Sequence, residues 1–241
     1  LDQKADRHRK KNRDRLSQFG DARNLALLLA LPARLARLSG KPGPKPRSAA
    51  LYMQTAVAVE ILLHCPMRIG NLVSLDMGLH LRWIGDGKSL RLVIDIPGNE
   101  VKNDKPLRYE LTGGSAMLVR DYVDRIRPGL TPEPTSAVFP GMNGAPRRAA
   151  ALSEQISRHC LEQTGLVINA HLFRSLAGKI HNLVSAGDAA TISHVLGDTI
   201  GTVARSYIQF EQKAALDHYQ RSVRLVRQGN DNDPDEEDDA A

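Results

Sequence analysis

The run Asn169-Ala-His171-Leu-Phe-Arg174-Ser-Leu176-Ala-Gly178-Lys-Ile180-His181-Asn-Leu-Val184 organises the rest of this chain, together with Asp188, Leu196-Gly197-Asp198 and a lone Tyr207 further on. Leu172, Leu176, Ile180 and Val184 recur at helical spacing, so the run predicts a helix with one apolar face. Asn169 is its candidate N-cap and Gly187 its stop, because a short polar side chain satisfies orphan amides and glycine tolerates the left-handed terminus. His171, Arg174, Gly178 and His181 fall on the opposite side, at three- and four-residue steps. Asp188 can cap a short second helix that stops at Gly197. Thr199 can cap a last turn-rich segment that reaches Tyr207.

Upstream, Ser153–Thr164 reads as a helix with Ser153 as candidate N-cap, preceded by a long Pro/Gly-rich loop over 127–149. Ser115–Ile126 reads as another helix. Between residues 80 and 111 the period changes. Leu81–Trp83, Leu90–Ile96 and Leu107–Leu111 predict short strands, with Gly85-Asp-Gly87 as a tight turn. The connection Pro97–Pro106 carries Lys102 and Lys105. Ala49–His64 is a strongly apolar helix, and Pro66 reads as the restart of a helix bearing Ile69, Leu72, Val73 and Leu75. Arg68 interrupts that apolar run. Leu25–Leu38 reads as a helix broken at Pro32, and Gly40–Pro46 as a loop. Downstream, Glu211–Val226 predicts a terminal amphipathic helix with Leu216, Tyr219, Val223 and Val226 as its stripe, Tyr219 being a core tyrosine. The fold class expected is mainly α with a small three-stranded antiparallel β-sheet (α+β). The divisions expected are a charged linker or arm over 1–20, a main domain over 21–228 and an acidic disordered tail over 229–241.

The chain has 241 residues and a net charge of +6. Seven acids lie between Asp231 and Asp239; without them 33 basic residues face 20 acidic ones. Such a body suits a polyanionic partner, with nucleic acid the leading candidate and a merely basic surface the plain alternative. The arm over 1–15 holds seven of those basic residues and fits either DNA tracking or a solvated tail. Cys65 and Cys160 cannot form a disulfide framework and are expected to be reduced, which fits a cytoplasmic protein. The longest apolar run, Leu25–Ala33, is too short to span a bilayer, and no signal-peptide pattern opens the sequence. A start at Leu1 rather than Met suits a fragment of a longer protein.

Two arginines, a histidine and a tyrosine suit attack on a phosphodiester by a phenolic oxygen. Guanidinium groups stay charged and present forked donors to non-bridging oxygens. Imidazole titrates near neutrality and can move a proton. A phenol with a pKa of about 10 needs surrounding positive charge to be activated. Each residue also has a plainer reading: Arg68 as a helix-end surface arginine, Arg174 on a polar face, His171 as a structural histidine, Lys102 as a solvated turn lysine, Tyr207 as core.

In order, these pieces are an arginine after a buried helix, a lysine in a β-hairpin, a His-x-x-Arg helix, a Leu-Gly turn and a tyrosine. Together they resemble the catalytic domain of the tyrosine recombinases, the phage-integrase family, over roughly Ala49–Phe210. The resemblance implies that Arg68 and Arg174 clamp the scissile phosphate and that His171 assists proton movement. It implies that Lys102 protonates the leaving 5′ hydroxyl, with Lys105 its rival, and that Tyr207 is the nucleophile forming a 3′-phosphotyrosyl bond. Lys105 and His181 are further DNA-binding candidates. The implied reaction uses no metal and no other cofactor. The implied partner is double-stranded DNA, bound by a homo-oligomer that is tetrameric on two sites, through a full-length protein with an N-terminal DNA-binding module; the implied setting is cytoplasmic, nucleoid-associated and bacterial. The terminal helix would then dock on a neighbouring protomer or pack on its own domain.

Two positions depart from the family pattern. Asp198 stands where a His or Trp donor is usual, and a carboxylate only accepts hydrogen bonds. Capping of the following segment is the other reading of Asp198, and His194 is a candidate substitute donor. Asn71 stands where an acid commonly supports the active-site arginine. These departures keep two alternatives open: a non-cutting DNA-binding regulator derived from a recombinase, and a type IB topoisomerase-like activity.

Overall fold

A computed structural model describes residues 12, 14–42, 45–184, 188–198, 219, 220, 223 and 224. Tyr207, Thr199 and most of the predicted terminal helix lie outside the described residues.

Two short helices, α1 (Ala22–Leu29) and α2 (Leu31–Ser39), replace the single interrupted one. Asp21 caps α1 by accepting the Arg23 amide, and Pro32 sits in the first turn of α2, where no amide hydrogen is needed. The long helix α3 (Pro46–His64) starts at the last proline of the predicted loop for the same reason. Its run Met53–Val59 is buried all round, so it forms the central rod of the core.

Pro66 does not restart a helix, contrary to the sequence expectation. Pro66–Arg68 is extended, and α4 begins only at Ile69 and ends at Val73. Proline bars the preceding residue from helical geometry, and Cys65 accordingly leaves α3 with φ −127° and ψ 75°. The extended step buries Met67 completely and leaves Arg68 at the mouth of the site described below.

The three strands are β1 (Leu81–Ile84), β2 (Arg91–Ile96) and β3 (Leu107–Thr112), antiparallel in the order β1-β2-β3. Leu81 faces Ile94 across the first pair and Ile96 faces Leu107 across the second. The central strand buries Leu92, Val93, Ile94 and Ile96. Helix α5 (Gly113–Asp121) follows β3 and buries Ala116 and Val119. It then widens into a π turn over Tyr122–Ile126 and tightens into a 3₁₀ turn over Arg127–Leu130, so the predicted helix is shorter and less regular.

The predicted loop over 127–149 is held from inside. Arg127 is buried and donates through Nε to the Ala137 carbonyl at 2.7 Å, and Tyr122 donates its hydroxyl to the Val138 carbonyl at 2.8 Å. Helix α6 runs Ala149–Thr164. Ser153 lies inside it rather than at its cap; its carbonyl accepts the Ser157 hydroxyl at 2.9 Å. Gly165 ends α6 in the left-handed conformation, φ 74°. Between α3 and α6 sits a buried polar knot. Thr55 Oγ1 lies 2.7 Å from His159 Nδ1, and Gln155 Nε2 donates to Thr55 Oγ1 at 2.9 Å. Burial, aided by the charge of Arg158, pulls the His159 pKa down to about 4.

Helices α7 (Leu172–Val184) and α8 (Ala189–Leu196) complete the described core. Asn169 caps α7 as expected, its side chain accepting the Leu172 amide at 2.9 Å, and Asp188 caps α8 through the Thr191 amide at 3.0 Å. Cys65 and Cys160 are both free and buried; burial raises both thiols, Cys160 to about 12. Tyr219 is 66% exposed, so it is not the core tyrosine expected from the terminal stripe. Among the described residues, no helix is long and apolar enough to cross a membrane.

Candidate functional site

Three segments meet at the C-terminal end of α8: the extended Pro66–Arg68 step, the β2–β3 turn, and the first turn of α7. Arg174 joins them. Its side chain is 6% exposed, and it donates to the Pro66 carbonyl at 2.8 Å and to the Leu196 carbonyl at 3.0 Å. It also pairs with Asp198 Oδ2. Arg174 is therefore not on a solvent face; on the side of α7 opposite the apolar stripe, it is buried through ion pairing and hydrogen bonds.

Arg68 reaches the same carboxylate from the other side, donating through Nη2 to Asp198 Oδ1 at 3.1 Å. Asn103, on the turn after β2, donates to that oxygen at 3.0 Å and to the Gly197 carbonyl at 3.1 Å. Asp198 thus does not stand free; its carboxylate is the hub on which two arginines and an asparagine converge, and the segment that follows it lies outside the described residues. Burial alone would raise its pKa, but Arg174, Asn103 and Arg68 together outweigh that and hold it below the usual carboxylate range.

The hub is held by its own backbone. The Asp198 amide donates to the Ser193 carbonyl at 3.0 Å and the Ser193 hydroxyl donates to the Asp198 carbonyl at 2.7 Å. Gly197 between them has φ 58°, and an added Cβ would lie 2.6 Å from Leu107 Cδ2. Only glycine meets both conditions without cost. On β3, Tyr109 donates its hydroxyl to the Val195 carbonyl at 2.9 Å, tying the sheet to α8.

The turn that carries Lys102 is also fixed from beneath. An added Cβ on Gly98 would meet the Asp104 carbonyl oxygen at 2.7 Å, so the turn closes tightly on itself. Asp104 has φ 54°, a conformation that Asp and Asn tolerate best among side-chain-bearing residues. Glu100 anchors the turn to buried His80. His80 Nδ1 accepts the Asp76 amide at 2.9 Å, which leaves the proton on Nε2 to donate to Glu100 Oε2 at 3.0 Å. Asn71 is buried and donates to the Glu100 carbonyl at 3.4 Å, so it serves this turn rather than an arginine.

The other sequence candidates fall as follows. His171 is exposed at the start of α7. Desolvation first, then the charges of Arg174 and Arg68, lower its pKa against the opposing pull of Asp198, so the ring is neutral at pH 7. Lys102 and Lys105 are exposed on the turn. His194 is exposed on α8, and no hydrogen bond or ion pair among the described residues joins its ring to the arginines. His181 pairs with Asp188 at 3.3 Å across the α7–α8 connection. Tyr207 lies outside the described residues. Asn103, Tyr109, His80 and Glu100 escaped sequence reading; the only signal was the turn-forming Asn-Asp dipeptide beside Lys102. No cluster of His, Cys, Asp and Glu among the described residues could hold a metal ion.

No protein-family model matches the sequence, and no curated protein does. Among solved structures, the chain is similar to the XerH site-specific recombinase bound to palindromic difH substrate in a post-cleavage complex. The TM-score is 0.56 and the identity 18%, over 78% of this chain and 50% of that one. The XerH pre-cleavage complex gives a TM-score of 0.53 at 18% identity, over 73% and 48%. The XerA recombinase gives 0.51 at 15% identity, over 75% and 64%. The chain spans about half the length of the XerH chain it matches. These likenesses, with the three-stranded sheet amid helices, establish the architecture: the chain has a tyrosine-recombinase-like fold.

Proposed function

We propose that this chain is the catalytic domain of a site-specific DNA recombinase that cleaves and rejoins double-stranded DNA through a 3′-phosphotyrosyl intermediate. The observation that carries the reading is the meeting of Arg68 and Arg174, distant in sequence, on the two oxygens of one anion. A phosphodiester presents the same pair of oxygens. In the proposed reaction the Tyr207 oxygen attacks phosphorus and the 5′ oxygen leaves with a proton from Lys102. The two guanidinium groups take up the charge that builds on the non-bridging oxygens. Neutral His171 can accept the phenolic proton. The new ester keeps the energy of the broken one, so rejoining is the reverse attack by a 5′ hydroxyl.

A cleft of about 370 Å³ lined by Arg47, Arg147 and Arg148, with no acidic residue in its lining, offers further contacts to DNA phosphates. In this reading residues 21–228 form the catalytic domain, 1–20 an arm, and 229–241 an acidic tail. The longer protein would assemble as a homo-oligomer on its sites. The experiment is a nicked double-stranded DNA substrate drawn from the flanks of the chain's own gene. A covalent adduct should form and be lost in Tyr207→Phe with DNA affinity retained; an undiminished adduct in that variant refutes the assignment.

A non-cutting DNA-binding regulator is the second reading. What favours it is that both arginines are already paired with Asp198, which offsets one of their two charges. It predicts DNA binding without adduct on any substrate.

A further inference from the structure

The arginines hold an anion that belongs to the chain itself. Asp198 Oδ1 accepts from Arg68 at 3.1 Å and from Asn103 at 3.0 Å, and Oδ2 accepts from Arg174. A carboxylate and a phosphodiester are each singly charged and each offer two oxygens to forked donors. Both cannot sit on the same guanidinium edges at once. We propose that Asp198 is an internal competitor for the phosphate, seated in the anion position until a phosphodiester displaces it. This rests on the reading that the arginines serve a phosphodiester.

The local backbone suits such an exchange. The Asp198 amide and carbonyl are both bonded to Ser193, and these bonds do not involve the carboxylate. The side chain can rotate away while the end of α8 stays in place. Displacement would have a second effect. The same carboxylate ties Arg68, the Lys102-bearing turn through Asn103, and the residue from which the chain continues to Thr199 and Tyr207. Entry of a phosphate frees Asn103 from Asp198 while its bond to the Gly197 carbonyl remains. The turn is loosened by one contact at the moment the arginines engage substrate. Hence the resting site has one of its two guanidinium charges offset, and its forked donors become available only to an anion that outcompetes a tethered one.

The test uses the full chain and inorganic phosphate as the probe, followed by isothermal titration. Asp198→Asn keeps the side-chain shape and removes the charge. It should bind phosphate on the order of tenfold more tightly than the parent chain, the scale of one lost competing ion pair. Adding Arg68→Ala to Asp198→Asn should cancel the gain, which places the phosphate on this site rather than in the Arg47 cleft. Asn103→Ala keeps the carboxylate but removes one of its holds, so it should give a smaller gain in the same direction and covers the case in which Asp198→Asn fails to fold. Equal phosphate affinity in parent, Asp198→Asn and Asn103→Ala overturns the proposal. A nicked DNA substrate separates the two readings. Tighter phosphate binding without adduct in any variant upholds the competitor and refutes strand cleavage. Adduct in parent and variant alike, with unchanged phosphate affinity, refutes the competitor and upholds cleavage.

Discussion

Replacing Arg174 with alanine should cost far more stability than replacing Arg68, although both hold the same carboxylate. The Arg68 side chain is 25% exposed, and its loss leaves Asp198 with Arg174 and Asn103. Pairs so accessible to water contribute about 1 kcal/mol or less. Arg174 is buried and holds the Pro66 and Leu196 carbonyls besides the carboxylate. Removing one partner of a buried ion pair costs about 3–5 kcal/mol. An unsatisfied buried carbonyl adds about 1–3 kcal/mol, offset where water enters the space left behind. The expected cost of Arg174→Ala is therefore about 3–5 kcal/mol, against about 1 kcal/mol for Arg68→Ala. Arg174→Lys, which can reach one partner but not three, should fall between. Urea unfolding followed by the fluorescence of Trp83, the single tryptophan, gives all three values, and the slopes should agree if only the native state changes. If Arg174→Ala unfolds within 1 kcal/mol of Arg68→Ala, on the order of a surface pair, the keystone role assigned to Arg174 is wrong. The difference also governs functional tests: lost cleavage in Arg174→Ala is interpretable only at a temperature where the variant is folded.

Gly197→Ala should destabilise by about 1–2 kcal/mol, from the left-handed φ of 58° and the 2.6 Å approach to Leu107. Leu107→Ala combined with it should recover the steric part alone, and purely additive losses in urea unfolding would contradict the contact. Acid should destabilise the chain as pH falls from about 6.5 to about 4, because His159 is neutral when folded and protonates more readily when unfolded. That stability is complete above the ordinary histidine pKa and is worth about 3 kcal/mol. Melting temperatures of parent and His159→Gln should converge in their pH dependence above pH 7, on the order of the ordinary value, and diverge below it; parallel profiles would be inconsistent with it. Below the ordinary carboxylate range a further loss should follow as Asp198 protonates, since its folded pKa is depressed, and Asp198→Asn should lack that phase.

What periodicity could reveal, it revealed. The three strands, the core rod α3 and the caps at Asn169 and Asp188 all rest on local signals: alternation, apolar repeats, and a short acceptor before a helix. The errors come from places where local signals compete. Ser153 looks like a cap, but the helix begins a turn earlier, at Ala149, and its buried face already includes Leu152. Pro66 looks like a helix start, but burying Met67 requires an extended step. The site shows the same division. Arg68, His171 and Arg174 stand out by type and spacing. The role of Asp198 depends on partners at positions 68, 103 and 174, which no window of sequence contains, and so it reads as a repelling charge or a cap. Asn103 is hidden by its neighbour, because Lys102 is the residue that carries obvious chemistry.

Outside the Asp198 carboxylate itself, four hydrogen bonds that frame the site share a property with a consequence for divergence. Arg174 donates to the carbonyls of residues 66 and 196, Tyr109 to that of 195, and Asn103 to that of 197. In each bond one partner is a side chain and the other is main chain. Every residue type supplies a carbonyl, so a change of side chain at an acceptor position does not by itself break the bond; of the four, Gly197 is held by its own φ and its approach to Leu107. For these bonds the hydrogen-bonding chemistry constrains only the three donors. A frame specified from one side can persist through extensive substitution, as it rests on a handful of identities, with matched pairs needed only at the Asp198 carboxylate. Drift in such a chain erodes the sequence signal much faster than the shape.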